Sequence, residues 1–217
     1  MSRFGFSLRD VRDERVIAAM ERVPRHLFVP EPYVPQAYGD HPLPIGYGQT
    51  ISQPYIVAVM TELLQPEPTD KILEVGAGSG YQAAILAELV ARVYTIEIIP
   101  ALAKEARERL ARLGYTNVEV IEGDGYLGYP EQAPYDGIIV TCAPDHIPPP
   151  LVEQLADGAR LVIPVGPAGY HQDLWVVERH GTEVRSRKVM GVAFVPLVRR
   201  LGGQPQTPYE DDEEDWL

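Results

Sequence analysis

The sequence predicts an α/β protein built on a mostly parallel sheet with an antiparallel edge and helices on both faces. From residue 71 to residue 165, strand-like runs alternate with helix-like runs, the order that a parallel sheet with right-handed crossovers requires. After residue 169 two strand-like runs follow one another with no helix between them, which puts an antiparallel pair at one sheet edge. The composition agrees, with 217 residues, 45% hydrophobic and 23% charged, and at roughly 100 to 200 residues per domain this predicts a single compact domain. A chain of this size buries about 70% of its unfolded surface. It needs no disulfide, and its single cysteine, Cys142, forms none within the chain.

Each element has its own signal. Val11, Val16, Ile17 and Met20 fall at helical spacing among charges, so a helix is expected over residues 9–20. Residues 23–49 hold six prolines (Pro24, Pro30, Pro32, Pro35, Pro42 and Pro44), which predicts a segment without regular structure. Its aromatics, among them Phe28, Tyr33, Tyr38 and Tyr47, suggest an ordered cover. Pro54 in a first turn, followed by Val57, Met60, Thr61 and Leu64, marks a helix over 53–65. Then come strand 71–75, helix 81–90, strand 92–98, helix 101–113, strand 117–122, the almost wholly apolar strand 137–141, helix 149–155 and strand 160–165. The two edge strands are expected over 174–179 and 188–198. The expected organisation is one domain over 1–203, with a helix and covering loop over 1–52 and an α/β core over 53–203, followed by a solvated, disordered acidic tail over 204–217.

The formal net charge is −12, and six acids lie between Glu210 and Asp215, so the rest of the chain carries −6. Neither value suits a nucleic-acid partner, whose phosphates are neutralised by Lys and Arg. The first residues lack the apolar core of a signal peptide and no run approaches 18 apolar residues, so neither a leader nor a membrane partner is expected. A monomer in the cytoplasm is the expectation. The five histidines show no metal-ligand spacing, and no metal is expected.

The most informative stretch is Glu74-Val75-Gly76-Ala77-Gly78-Ser79-Gly80, which joins a strand to a helix. Its glycines allow a tight turn and let a ligand approach the backbone at the positive end of a helix. Glu97 ends the next strand, 21 residues past Gly76, where an acid commonly accepts from ribose hydroxyls. The spacing G-x-G-x-G departs from the dinucleotide fingerprint, whose third glycine falls on Tyr81. Glu74 is an acid inside a buried strand. It suits a ligand ammonium and repels a pyrophosphate, which favours S-adenosylmethionine over NAD. Asp124-Gly125 follows the next strand, and Asp124 either accepts from an adenine amino group or caps an Asp-Gly turn; the spacing leaves both open.

The string Leu43-Pro44-Ile45-Gly46-Tyr47-Gly48-Gln49-Thr50-Ile51-Ser52-Gln53-Pro54 is unusual. With Val23-Pro24-Arg25, Leu73 to Tyr81, Gly123-Asp124-Gly125, Pro134-Tyr135-Asp136, Ile163-Pro164-Val165-Gly166 and Phe194-Val195-Pro196-Leu197, it resembles the protein-L-isoaspartate (D-aspartate) O-methyltransferases over about residues 23–197. The resemblance implies a Rossmann-like methyltransferase sheet, S-adenosylmethionine as donor, and as acceptor the free α-carboxylate of an L-isoaspartyl residue in a damaged protein or peptide. It leaves D-aspartyl acceptors open. Methylation turns that carboxylate into a better leaving group, so a succinimide re-forms and can open to normal aspartate.

By the same resemblance Gly76, Gly78 and Gly80 line the methionine part of the donor, Glu97 its ribose, and Asp124 with Gly125 its adenine. Thr50, Ile51, Ser52 and Val195 face the acceptor, and Ser52 takes the place of the active-site serine. Such a sparse site is chemically sufficient, because an α-carboxyl with a pKa of about 3.5 is already ionised at neutral pH and needs no general base. What remains is positioning. Ser52 also stands where an N-cap of the following helix is expected, and both roles can hold. Tyr55 replaces a histidine of some family members and is assigned no chemistry, and Cys142 reads as a small core thiol. A methyltransferase acting on a small molecule and a non-catalytic adenosine-ligand module are the rival readings.

Overall fold

The computed structural model describes residues 11–167, 169–201 and 204–206. Helix α1 (Glu14–Arg22) starts where the Asp13 carboxylate accepts from the Arg15 amide at 2.9 Å, capping a first-turn donor. It therefore begins later than the expected residue 9; residues 9 and 10 lie outside the described residues. Val16, Ala19 and Met20 form its buried stripe, and Pro24 follows its end.

The expectation of no regular structure over 23–49 is corrected. Two 3-10 helices, Arg25–Phe28 and Glu31–Gln36, are followed by a hairpin of β1 (Leu43–Gly46) and β2 (Gln49–Ile51). The prolines are compatible with both. Short 3-10 turns leave their first amides unpaired, and each strand of a two-stranded sheet has a free edge toward which Pro44 can turn its missing donor.

Helix α2 (Pro54–Leu64) leads into the alternating region: β3 (Lys71–Val75), α3 (Tyr81–Ala87), β4 (Arg92–Glu97), α4 (Pro100–Arg112), β5 (Val118–Glu122), β6 (Tyr135–Val140), α5 (Pro149–Glu153) and β7 (Leu155–Val165). Strands β8 (Gln172–His180) and β9 (Glu183–Val192) complete a seven-stranded sheet in the order β5-β4-β3-β6-β7-β8-β9. All pairs up to β6 and β7 are parallel, and β7 to β9 are antiparallel. Strand register fixes two packed faces, since successive side chains point to opposite sides. Ile72, Val93, Ile139 and Val162 join the core under α1 to α4, whereas Leu73, Tyr94, Ile138 and Leu161 join the core that Leu151 of α5 closes.

The second edge strand was expected to run to residue 198, but β9 ends at Val192. Pro196 has no amide to give a ladder, and the chain instead crosses the strand ends, where Ala143 N donates to Val195 O at 2.8 Å and Leu197 N to Ala143 O at 2.9 Å. The described residues reach into the segment expected as a tail, at 204–206. Strand β10 (Arg199–Leu201) pairs antiparallel with β11 (Gln204–Gln206). The remaining tail, 207–217, lies outside the described residues.

Candidate active site

Strands β3 and β6 are neighbours at the sheet centre, and from them the strand order runs outward in opposite directions. A crevice opens at such a reversal, beyond the carboxyl ends of the strands. Here it is a cleft of ≈ 770 Å³, open to solvent. Its floor is the loop between β3 and α3, anchored by Gly76 N and Ala77 N, which donate to Ile96 O at 2.8 and 3.1 Å. Gly76 has φ 98, and a Cβ there would lie 2.5 Å from the Thr141 hydroxyl. That hydroxyl donates within reach of Gly76 O at 2.6 Å and Val75 O at 3.1 Å, so β6 holds the loop from below.

Glu97 closes the far wall. Its carboxylate accepts from Gly78 N at 2.8 Å and Ile99 N at 3.0 Å. Burial raises its pKa, and these amide bonds act in the opposite direction. Glu74 is wholly buried, lines the same cleft, and has no hydrogen-bond partner on either carboxylate oxygen among the described residues. Burial pushes its pKa up to about 8, with Thr95 beside it lowering it and Glu97 raising it. An orphaned acid of this kind costs a few kcal/mol if charged and alone, and so is suited to a ligand cation. Cys142 also lines the cleft, and burial, with the Glu97 and Glu74 charges, raises its pKa and keeps the thiol protonated.

A second cleft of ≈ 1210 Å³ adjoins the first. Gln53, Tyr55, Ile56, His171, Met190 and Phe194 are among its walls. Thr50, Ser52, Thr141 and Val195 line both clefts, so the two meet at these four side chains. Gln172 holds the chain here, its side-chain amide bonding Phe194 N at 2.7 Å and Phe194 O at 3.2 Å.

Of the residues expected at the site, Thr50, Ile51, Ser52, Glu74, Gly76, Gly78, Glu97, Gly125 and Val195 line the first cleft. Gly80 and Asp124 stand outside that lining. Gly80 has φ 86 and faces α4, where a Cβ would lie 3.2 Å from Leu110 Cδ1. Asp124 accepts from Tyr126 N at 3.0 Å, from Arg199 Nε at 3.1 Å and from Arg200 N at 3.2 Å. Ser52 is not the N-cap of α2; that position is Gln53.

A family model described as protein-L-isoaspartate(D-aspartate) O-methyltransferase matches residues 7–202. The chain belongs to this family. Over 194 residues, 89% of each chain, it is 62% identical to the protein-L-isoaspartate O-methyltransferase of Methanoregula boonei. Among solved structures, a protein-L-isoaspartate O-methyltransferase superposes with a TM-score of 0.80 at 27% identity, over 89% of this chain and 63% of that one. A second, from Plasmodium falciparum and described as a putative protein-L-isoaspartate O-methyltransferase in complex with S-adenosyl-L-homocysteine, gives 0.74 at 26% identity, over 87% of this chain and 93% of that one. The fold is accordingly the Rossmann-like methyltransferase fold, and S-adenosylmethionine is the cofactor to test against the cleft. The orphaned Glu74 and the carboxylate of Glu97, both on the cleft lining, are chemically compatible with its ammonium and its ribose.

Two residues of this methyltransferase site escaped the sequence reading. Thr141 ends an apolar strand, and only the packing of β3 on β6 shows its hydroxyl under Gly76. His171 precedes β8 in a turn and reaches the second cleft by tertiary contact alone. Among the described residues no cluster of three or more His, Cys, Asp or Glu is placed to hold a metal, and no helix is long and apolar enough to cross a membrane.

Proposed function

We propose that this protein methylates the free α-carboxylate of L-isoaspartyl residues in damaged proteins and peptides, drawing the methyl group from S-adenosylmethionine and initiating repair through a succinimide. The observation that carries this reading is the meeting of two clefts at Thr50, Ser52, Thr141 and Val195, one suited to the cofactor and the other open to solvent beside it. When bound, S-adenosylmethionine supplies an electrophilic sulfonium methyl. Glu74 receives the ammonium and gives up its proton in doing so. Glu97 accepts from the ribose, and Gly125 with Asp124 bounds the adenine end.

At the junction the acceptor carboxylate is anionic without help from a base. Ser52 donates to one of its oxygens and turns the other toward the cofactor cleft. Val195 and residues Thr50 and Ile51 of the hairpin flank the carboxylate, so the reaction is governed by orientation. The protein works as a monomer in the cytoplasm, with neither nucleic acid nor a membrane as partner; its −12 charge disfavours binding to a phosphate polyanion.

Matched peptides differing only in isoaspartate or aspartate at one position test the reading. Transfer to the isoaspartyl peptide with little to its counterpart is expected; comparable rates on both would remove the repair function.

A further inference from the structure

Helix α2 starts two residues after Ser52, and its first turn lacks a local cap: Gln53 occupies the N-cap position and its side chain makes no cap bond. The missing acceptor comes from far upstream. Asp40 Oδ1 accepts from Tyr55 N at 3.0 Å, and Asp40 Oδ2 accepts from Gln53 Nε2 at 2.9 Å. One carboxylate therefore holds both the backbone and a side chain on either side of Pro54, and its negative charge lies at the positive end of an 11-residue helix.

The segment bearing Asp40 is itself fixed. Arg25 is wholly buried, and its Nε donates to Ala37 O at 2.8 Å. Its two terminal nitrogens have no hydrogen-bond partner among the described residues, and its guanidinium carbon lies 4.9 Å from the centre of the Tyr81 ring. Asp40 lines neither cleft, whereas Gln53 and Tyr55 line the second and Ser52 lines both.

We propose that Asp40 is a positioning residue for methyl transfer, which sets the place of the Ser52 hydroxyl by clamping the start of α2 to the covering segment. The proposal rests on the role given to Ser52 above. An acceptor carboxylate must meet a methyl group in line, and a small displacement of the orienting hydroxyl lowers the rate without loosening the cofactor.

The test measures kcat and KM on an isoaspartyl peptide, and S-adenosylhomocysteine affinity by calorimetry, for Asp40→Ala, Ser52→Ala and the double variant. Loss of one carboxylate that places one hydroxyl should lower kcat by about tenfold in Asp40→Ala, with the S-adenosylhomocysteine Kd kept to within about twofold. In the Ser52→Ala background the same change should lower kcat no further, because the group it positions is already gone. Should Asp40→Ala not remain folded at the assay temperature, Asp40→Glu keeps the charge and both acceptor oxygens but lengthens the arm, and should still lower kcat several-fold. Wild-type kcat in the folded Asp40 variant, or losses that multiply in the double variant, would overturn the proposal. Ser52→Ala at the wild-type rate would instead withdraw the role of Ser52, and the proposal with it.

Discussion

Asp124 accepts from Arg199 Nε at 3.1 Å, across 75 residues of sequence, beside Gly125 and just outside the lining of the first cleft. The Arg199 guanidinium also lies 3.6 Å from the centre of the Tyr126 ring. Arg199 thus uses an acceptor of the residue that the proposed function sets beside adenine.

The two roles separate by substitution. Arg199→Ala should leave S-adenosylhomocysteine affinity within about threefold and cost about 1 kcal/mol of stability, as a partly exposed pair does. Asp124→Ala should weaken affinity tenfold or more, the loss of roughly 1.4 kcal/mol or more. Calorimetry on both variants decides; equal affinities would take Asp124 out of the cofactor site.

Glu74 predicts a pH dependence. Its folded pKa of about 8 lies above the ordinary value of 4.5, so between these pH values the native state keeps a proton that the unfolded state has lost. Stability is complete below this window, falls as pH rises through it by at most about 1.4 kcal/mol per pH unit, and levels above it. Glu74→Gln should abolish the dependence, melting close to the wild type at pH 5 and higher than it at pH 8 in the absence of cofactor. The same variant should bind S-adenosylhomocysteine at least tenfold more weakly, since a neutral amide replaces the ammonium's counter-charge. Proton release on binding to the wild type near pH 7, seen as buffer-dependent heats, checks the ionisation directly.

Ser52→Ala should lower kcat by roughly ten- to a hundredfold, more than it raises KM, the worth of one orienting hydrogen bond of about 1 to 3 kcal/mol. Because Gln53 is the N-cap, the melting temperature should change little. A loss of stability with wild-type kcat would reverse both statements.

Gly76→Ala should abolish cofactor binding. A side chain at φ 98 is strained, and its Cβ would meet the Thr141 hydroxyl at 2.5 Å, displacing the bond that holds the loop to β6. Destabilisation by about 2 kcal/mol or more is expected from thermal melting. Thr141→Ala removes the obstacle and should recover part of that stability. No recovery would show that backbone strain alone governs the loss.

The alternation of strands and helices from Lys71 to Val165 was legible in the sequence because short apolar runs, buried on both sheet faces, are separated by longer helical runs. The motifs from Leu43 to Pro54 and from Glu74 to Gly80 carried the family resemblance, because each is a contiguous string that can be read without the fold. The bounds of β9, the hairpin inside the proline-rich segment and the pairing of β10 with β11 were not legible, because each depends on backbone partners distant in sequence. The same reason separates the site's parts. Glu74 announces itself as an acid inside a buried strand and Glu97 as an acid at a strand end, whereas the supports of the site, Thr141 beneath Gly76 and Asp40 at the start of α2, are ordinary polar residues. Sequence determined which chemistry the chain can hold; only tertiary packing decided which hydroxyls and carboxylates meet it, because a hydrogen bond between residues 13 to 75 positions apart leaves no periodic trace in either segment.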